Sequence, residues 1–190
     1  MSTYIYLVRH GESPKDKGDE RTRALTNKGR IDARRITELL KDEGIDIFFS
    51  SPYLRAILTI EDLANAAGRK VQIHEDLKEV VFQSDDRIMP DSELYPLVTK
   101  MFSDREWPSP GNETILGCQT RAVSVLKGIV HNYCGQKTVI GSHGAVMTLM
   151  MEYFDRKYDY DFLMKMSKPD VYRMEFDDER LMGVQRLWAE

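Results

Sequence analysis

Several things are scarce in this chain, and each shortage removes a class of function. Only two cysteines, Cys118 and Cys134, stand among 190 residues, so a disulfide framework is excluded. Both lie in segments that read as helical, and neither has a Cys or His at metal-ligand spacing, so both are expected as core thiols and no metal site is expected. No apolar run reaches the length of a membrane span, and no basic start leads into an apolar stretch with a small-residue cleavage site. The expected location is therefore cytoplasmic, with no membrane partner. There is no block of Lys and Arg; 27 basic against 31 acidic side chains leave a net charge of -4, which argues against nucleic acid as a partner. Internal repeats and low-complexity segments are also absent.

What is present is enough for one core. With 42% hydrophobic residues, 190 residues hide about 70% of their unfolded surface, and one domain over 1–190 is expected. Strand-like runs at 4–8, 46–49, 71–74 and 137–141 alternate with helix-like segments at about 26–42, 53–67, 114–133 and 144–154. In the first of these helices Thr26 is a candidate cap, Ile31, Ile36, Leu39 and Leu40 form the expected buried stripe, and Gly44 is the stop. Residues 170–176 and 181–187 flank Asp177-Asp178-Glu179-Arg180 and read as a hairpin added to the sheet. Alternation of this kind predicts an α/β fold, a three-layer α/β/α sandwich with a mostly parallel sheet and a C-terminal hairpin. Residues 80–112 break the alternation, with Pro90, Pro96, Pro108 and Pro110 around one helical candidate at 91–102, and are expected as a lid. Acidic side chains outnumber basic ones there, which suits a highly anionic ligand poorly.

The chemistry is concentrated at two strand ends. The first strand runs into Leu7-Val8-Arg9-His10-Gly11-Glu12-Ser13, and open α/β sheets place ligands beyond the carboxyl ends of their strands. Arg9 offers a fork of donors for phosphate or carboxylate oxygens, and neutral His10 is a nucleophile or base. A second buried strand ends in Gly141-Ser142-His143-Gly144, where the free N–H groups of a starting helix favour an anion. Arg55 sits in the first turn of another helix, a position unfavourable for a cation unless an anion lies nearby.

These motifs, taken with Leu25-Thr26, Gly29 and Ala33, with Ser50-Ser51-Pro52, Arg55-Ala56 and Thr59, with Leu77 and Glu79, and with Gly111, Glu113-Thr114 and Arg121, resemble the histidine phosphatase superfamily in the family's order. The resemblance implies a metal-independent phosphomonoesterase that needs no cofactor, takes a small organic phosphate and releases inorganic phosphate. By that resemblance His10 becomes a phosphohistidine, and Arg9, Arg55 and His143 bind the phosphoryl oxygens. Glu79 protonates the leaving group and then activates water. Ser13 and Gly144 are further expected substrate contacts, whereas Glu12, Thr59 and Arg121 match structural positions. His74 and His131 have no motif context and read as a strand-end and a helix-face histidine. Phe82, Tyr95, Phe102 and Trp107 read mainly as lid packing.

Two departures from the family pattern stand out. The usual continuation after the acid is replaced by Phe82-Gln83-Ser84-Asp85-Asp86, which leaves Asp85 and Asp86 as alternative acids. Asp16 stands where many members have a phosphate-contacting Asn, and a carboxylate there would repel substrate unless turned away or paired. Phosphoglycerate mutase-type phosphotransfer and a non-catalytic phosphate- or phosphopeptide-binding role are the alternatives to hydrolysis. The chain is shorter than the mutases it resembles, and the combination of Arg9, His10, Arg55 and His143 speaks against a mere binding module.

Overall fold

A computed structural model describes residues 1–189. Its elements in chain order are β1 (Ser2–Arg9), α1 (Asn27–Leu40), β2 (Ile47–Ser50), α2 (Leu54–Ala66), β3 (Val71–Ile73), a 3-10 turn (Glu75–Leu77), α3 (Asp91–Ser103), α4 (Ile115–Asn132), β4 (Lys137–Ser142), α5 (Gly144–Phe154), α6 (Tyr160–Lys165), β5 (Asp170–Asp177) and β6 (Arg180–Arg186). One six-stranded sheet runs β3-β2-β4-β1-β5-β6. Its first four strands are mutually parallel, and β5 and β6 join antiparallel as the expected hairpin.

Period-2 alternation explains the layers. Along β1, Tyr6 and Val8 face one side, where Ile36 and Leu40 of α1 and Ile60 and Leu63 of α2 cover them. Ile5 and Leu7 face the other side, under Ala122 and Leu126 of α4 and Val146 and Met150 of α5. Both faces are thus covered, as a parallel sheet requires. From Gly144 to Met151 every residue of α5 is buried, so this helix is apolar all round and held from all sides. That rigidity fixes its N-terminus, which is part of the site. Val80, Val98 and Met101 tie the 80–112 segment into the same core. Pro96 sits inside α3, where it removes one helical N–H, and the helix continues because its Val98 and Met101 are buried.

Some expectations fail locally. Ile31 and Leu39 are 57% and 41% exposed, and the buried face of α1 is instead Gly29, Asp32, Ala33, Ile36 and Leu40. Asp32 is tolerated there because Lys28 and Arg35 pair with it at 2.7 and 3.1 Å. Cys118 is a buried thiol of α4, but Cys134 lies in the turn after that helix and is exposed, because Tyr133 already ends it. The short α6, capped by Asp159, has too few turns to leave a periodic signal. No helix among the described residues is long and apolar enough to cross a membrane.

Candidate active site

The parallel strands β1, β2 and β4 end on one side of the sheet, and their carboxyl ends open into a cleft of about 270 Å³. Arg9 and Ser142 are register partners on β1 and β4, which brings His10 and His143 together from positions 133 residues apart; their ring centroids lie 5.2 Å from each other. His10 is 4% exposed and its Nδ1 lies 2.7 Å from the Gly11 carbonyl. A carbonyl only accepts, so Nδ1 carries the proton and Nε2 presents its lone pair. Arg55 Nε donates to that Nε2 at 3.2 Å. Burial first, then the charges of Arg55, Lys168 and His143, hold the His10 pKa well below its ordinary value, so the ring is neutral at physiological pH.

The loop bearing His10 is held by contacts whose residues the sequence singled out. Gly11 N–H donates to Thr59 Oγ at 3.0 Å, and Thr59 is anchored on α2 by donating to the Arg55 carbonyl at 2.7 Å. Thr26 caps α1 by accepting from Gly29 N–H, and its hydroxyl donates to Glu12 Oε1 at 2.7 Å. Gly29 has no room for a side chain, since a Cβ there would stand 2.2 Å from the Glu12 carbonyl oxygen.

Arg9 Nη1 donates to the carbonyls of Met166 and Ser167 at 2.7 and 3.1 Å, while its buried Nε has no protein partner. Its guanidinium passes over Gly144, where a Cβ would meet Arg9 Cζ at 3.0 Å. Gly144 therefore acts here by leaving space for Arg9. His143 Nε2 lies 2.7 Å from Ser51 Oγ, and its buried Nδ1 also lacks a protein partner. Polar atoms orphaned in this way are expected where a ligand belongs.

Arg55 is 2% exposed, and its other donors go to Glu20: Nη1 to the carbonyl and Nη2 to Oε2 at 2.9 Å. Glu20 also takes Arg23 at 3.1 Å, and its N–H bonds the carbonyl of Asp86 in the 80–112 segment. An anion that a cation in the first turn of α2 calls for is this carboxylate. Burial lowers the Arg55 pKa to about 10, so it stays charged at neutral pH.

Glu79 lies under the N-terminus of α5, its oxygens accepting from the N–H groups of Val80 at 3.0 Å, Val146 at 3.2 Å and Ala145 at 3.3 Å. Burial nevertheless raises its pKa, with those donors and the charges of Arg9 and Arg55 opposing. A raised carboxyl pKa inside a cation-lined cleft is the condition for a proton donor. Arg121 holds the segment around it, donating to the carbonyls of Asp76, Lys78 and Glu79 and pairing with Glu113, whose Oε2 accepts from Val81 N–H. Asp85 and Asp86 line the same cleft, but Asp85 accepts from Arg87 N–H and Asp86 stands 3.6 Å from Arg21.

Not every expected contact points inward. The Ser13 hydroxyl donates to the Ala24 carbonyl at 2.5 Å and does not line the cleft, so its donor is used in holding the loop. Asp16 is exposed and outside the lining, so the carboxylate is turned away from the cleft. Phe82 and Tyr95 line the cleft, whereas Phe102 and Trp107 pack onto the core. His74 caps the 3-10 turn, and His131 on α4 faces Glu179 at 3.4 Å. Glu20, Arg23, Tyr53 and Lys168 were not singled out by sequence; Arg23, two residues before Leu25-Thr26, and Tyr53, between Pro52 and Arg55, stand beside motifs, whereas Glu20 and Lys168 do not. Among the described residues no group of three His, Cys, Asp or Glu is placed to hold a metal ion.

Comparison with known proteins places this geometry in a family. The chain is 30% identical over 155 residues to the uncharacterized phosphatase PhoE of Bacillus subtilis (strain 168), covering 78% of this chain and 76% of that one. It is 29% identical over 163 residues to the phosphoglycerate mutase-like protein 4 of Arabidopsis thaliana, covering 78% and 69%. Among solved structures, YhfR of Bacillus stearothermophilus superimposes with a TM-score of 0.76 at 26% identity over 94% of both chains. With the family model matching residues 5–187, the chain belongs to the histidine phosphatase superfamily, branch 1.

Proposed function

We propose that the protein is a metal-independent phosphomonoesterase that hydrolyses a small organic phosphate through a phosphohistidine on His10. One observation carries the reading: Nδ1–H is committed to the Gly11 carbonyl, so the lone pair of the neutral ring is on Nε2, in the cleft, where Arg55 Nε–H holds it until a phosphoryl oxygen takes over that donor. That lone pair attacks phosphorus as the ester P–O bond breaks, and the Glu79 proton goes to the departing alkoxide oxygen. Arg9, Arg55 and His143 hold the equatorial oxygens, the first two as charges and His143 through Nδ1. In the second half, Glu79 carboxylate takes a proton from water, whose oxygen attacks phosphorus. The P–N bond breaks, its electron pair returns to Nε2, and inorganic phosphate leaves. The phosphoryl oxygens meet the two N–H donors of Arg55 that its bonds to His10 and Glu20 leave over, and compete with Glu20 for the rest. Val81, Phe82, Leu94 and Tyr95 of the lid segment and Met164 form a largely apolar wall for the alcohol part.

The test is turnover of an aryl phosphate in chelator-treated buffer by wild type and His10→Ala, with mass spectrometry after acid and base quenching. Expected are turnover and a base-stable, acid-labile phosphoryl group on His10, both lost in the variant. A requirement for added divalent metal, absence of the adduct, or transfer between positions of phosphoglycerate outpacing phosphate release would overturn the reading.

A further inference from the structure

We propose that Lys168 is a further phosphoryl-binding residue of this cleft, its ammonium contacting the non-bridging oxygens opposite Arg55. The inference rests on the reading that the cleft takes a phosphoryl group. Lys168 belongs to the connection between α6 and β5, far from every motif, yet it lines the cleft with Arg9, His10 and Arg55. The connection is built to hold it. Arg9 Nη1 takes the carbonyls of the two preceding residues, and Ser167 N–H and the Tyr172 hydroxyl donate to buried Asp170, which also takes Arg186 Nε at 2.9 Å. Arg9 and Asp170 are register partners on β1 and β5, so the nucleophile loop and the lysine loop spring from paired residues.

The charges lining the cleft are of both signs, and most are already paired with one another. Arg9 and His10 at the end of β1, Lys15 and Arg23 from the following loop, and Arg55 on α2 line the cleft with Lys168. The carboxylates of the same cleft are Glu20, Glu79, Asp85, Asp86 and Asp91; Glu20 is engaged by Arg55 and Arg23, Asp91 by Lys15, Asp86 by Arg21, Asp85 by the Arg87 N–H, and Glu79 by the N–H groups of α5. Among the described residues Lys168 has no hydrogen bond and no ion-pair partner. A half-buried ammonium that shares its cleft with Arg9 and Arg55 and has no partner is unfavourable until an anion arrives, and a phosphoryl dianion on His10 Nε2 would lie in the same cleft. Burial and the neighbouring cations lower the Lys168 pKa to about 8, which leaves it mostly protonated at neutral pH and close to losing its proton above it.

Calorimetric titration with inorganic phosphate and with orthovanadate tests this without any turnover. Lys168→Met is expected to weaken both by about tenfold or more, the scale of one charge-assisted hydrogen bond, and Lys168→Arg to restore most of the loss. In wild type the affinity should also decline as pH rises through about 8, a decline absent from the Met variant. Should the Met variant fold poorly, trace acetylation of wild type with acetic anhydride, read by peptide mass spectrometry, gives an independent answer. Saturating phosphate is expected to protect Lys168 at least fivefold. Binding within twofold of wild type in a folded Met variant, or unchanged acetylation under saturating phosphate, overturns the inference while leaving the hydrolase reading intact. Wild type that binds neither anion overturns both.

Discussion

Replacing Arg121 by Met removes a side chain that grips the backbone up to Glu79 directly and the Val81 N–H beyond it through Glu113. Its guanidinium donates to Glu113 Oε1 and Oε2 at 2.6 and 2.9 Å and to the carbonyls of Asp76, Lys78 and Glu79 at 2.8, 2.9 and 3.0 Å. Arg121 and Glu113 side chains are 14% and 15% exposed, so the variant strands a mostly buried carboxylate. Breaking a buried pair from one side costs about 3–5 kcal/mol, and partial water access reduces that to about 2–4 kcal/mol here. In a chain of this length the loss corresponds to a fall in Tm of about 5–15 °C, measurable by calorimetry.

The catalytic consequence separates positioning from mere damage. A displacement of about 1 Å at Glu79 is worth about 100-fold, but only where the leaving group needs a proton. Hydrolysis of an alkyl phosphate should therefore fall by about 100-fold in kcat/KM, while that of a nitrophenyl phosphate falls less than about fivefold. Arg121→Lys, which keeps the charge without the fork, should lie between. Equal losses on both substrates, or a stability change below about 1 kcal/mol, would refute the reasoning.

Three more outcomes are expected. His10 and His143 are both buried with pKa values held well below ordinary, so the native state refuses protons that the unfolded chain accepts below pH about 6.5. Stability is then retained above that pH and lost as pH falls, by up to about 1.4 kcal/mol per pH unit for each ring. Glu79, raised instead, works in the opposite sense. His10→Ala should flatten the denaturant-derived slope between pH 5 and 6.5, and a flat wild-type profile would contradict this. Gly144→Ala puts a methyl group 3.0 Å from Arg9 Cζ and should weaken phosphate binding in calorimetry with little change in Tm; unchanged affinity would mean that Arg9 yields freely. Glu20→Gln removes the carboxylate that competes for Arg55 and Arg23 and should tighten phosphate binding about fivefold. Weaker binding would show that Glu20 serves Arg55 by orienting it.

The layered fold was legible because both faces of β1 are covered: Ile5 and Leu7 on one face and Tyr6 and Val8 on the other leave an unbroken apolar run that ends at Arg9 and His10. Periodicity was a weaker guide on α1, where Ile31 and Leu39 are apolar yet outward while Asp32 is inward and paired. Strand ends and a helix start likewise pointed to Arg9, His10 and Arg55, which line one cleft, and to His143, whose ring lies 5.2 Å from that of His10 behind the lining. Spacing along the chain says nothing of what completes a charge cluster. Glu20 on Arg55, the orphan donors of Arg9 and His143, the peptide N–H groups beneath Glu79 and the unpartnered ammonium of Lys168 follow from β1 lying between β4 and β5. Local sequence dictates which residues reach the end of a strand; only the pairing of distant strands decides which charges meet there, because electrostatic energy depends on distance through space and on burial.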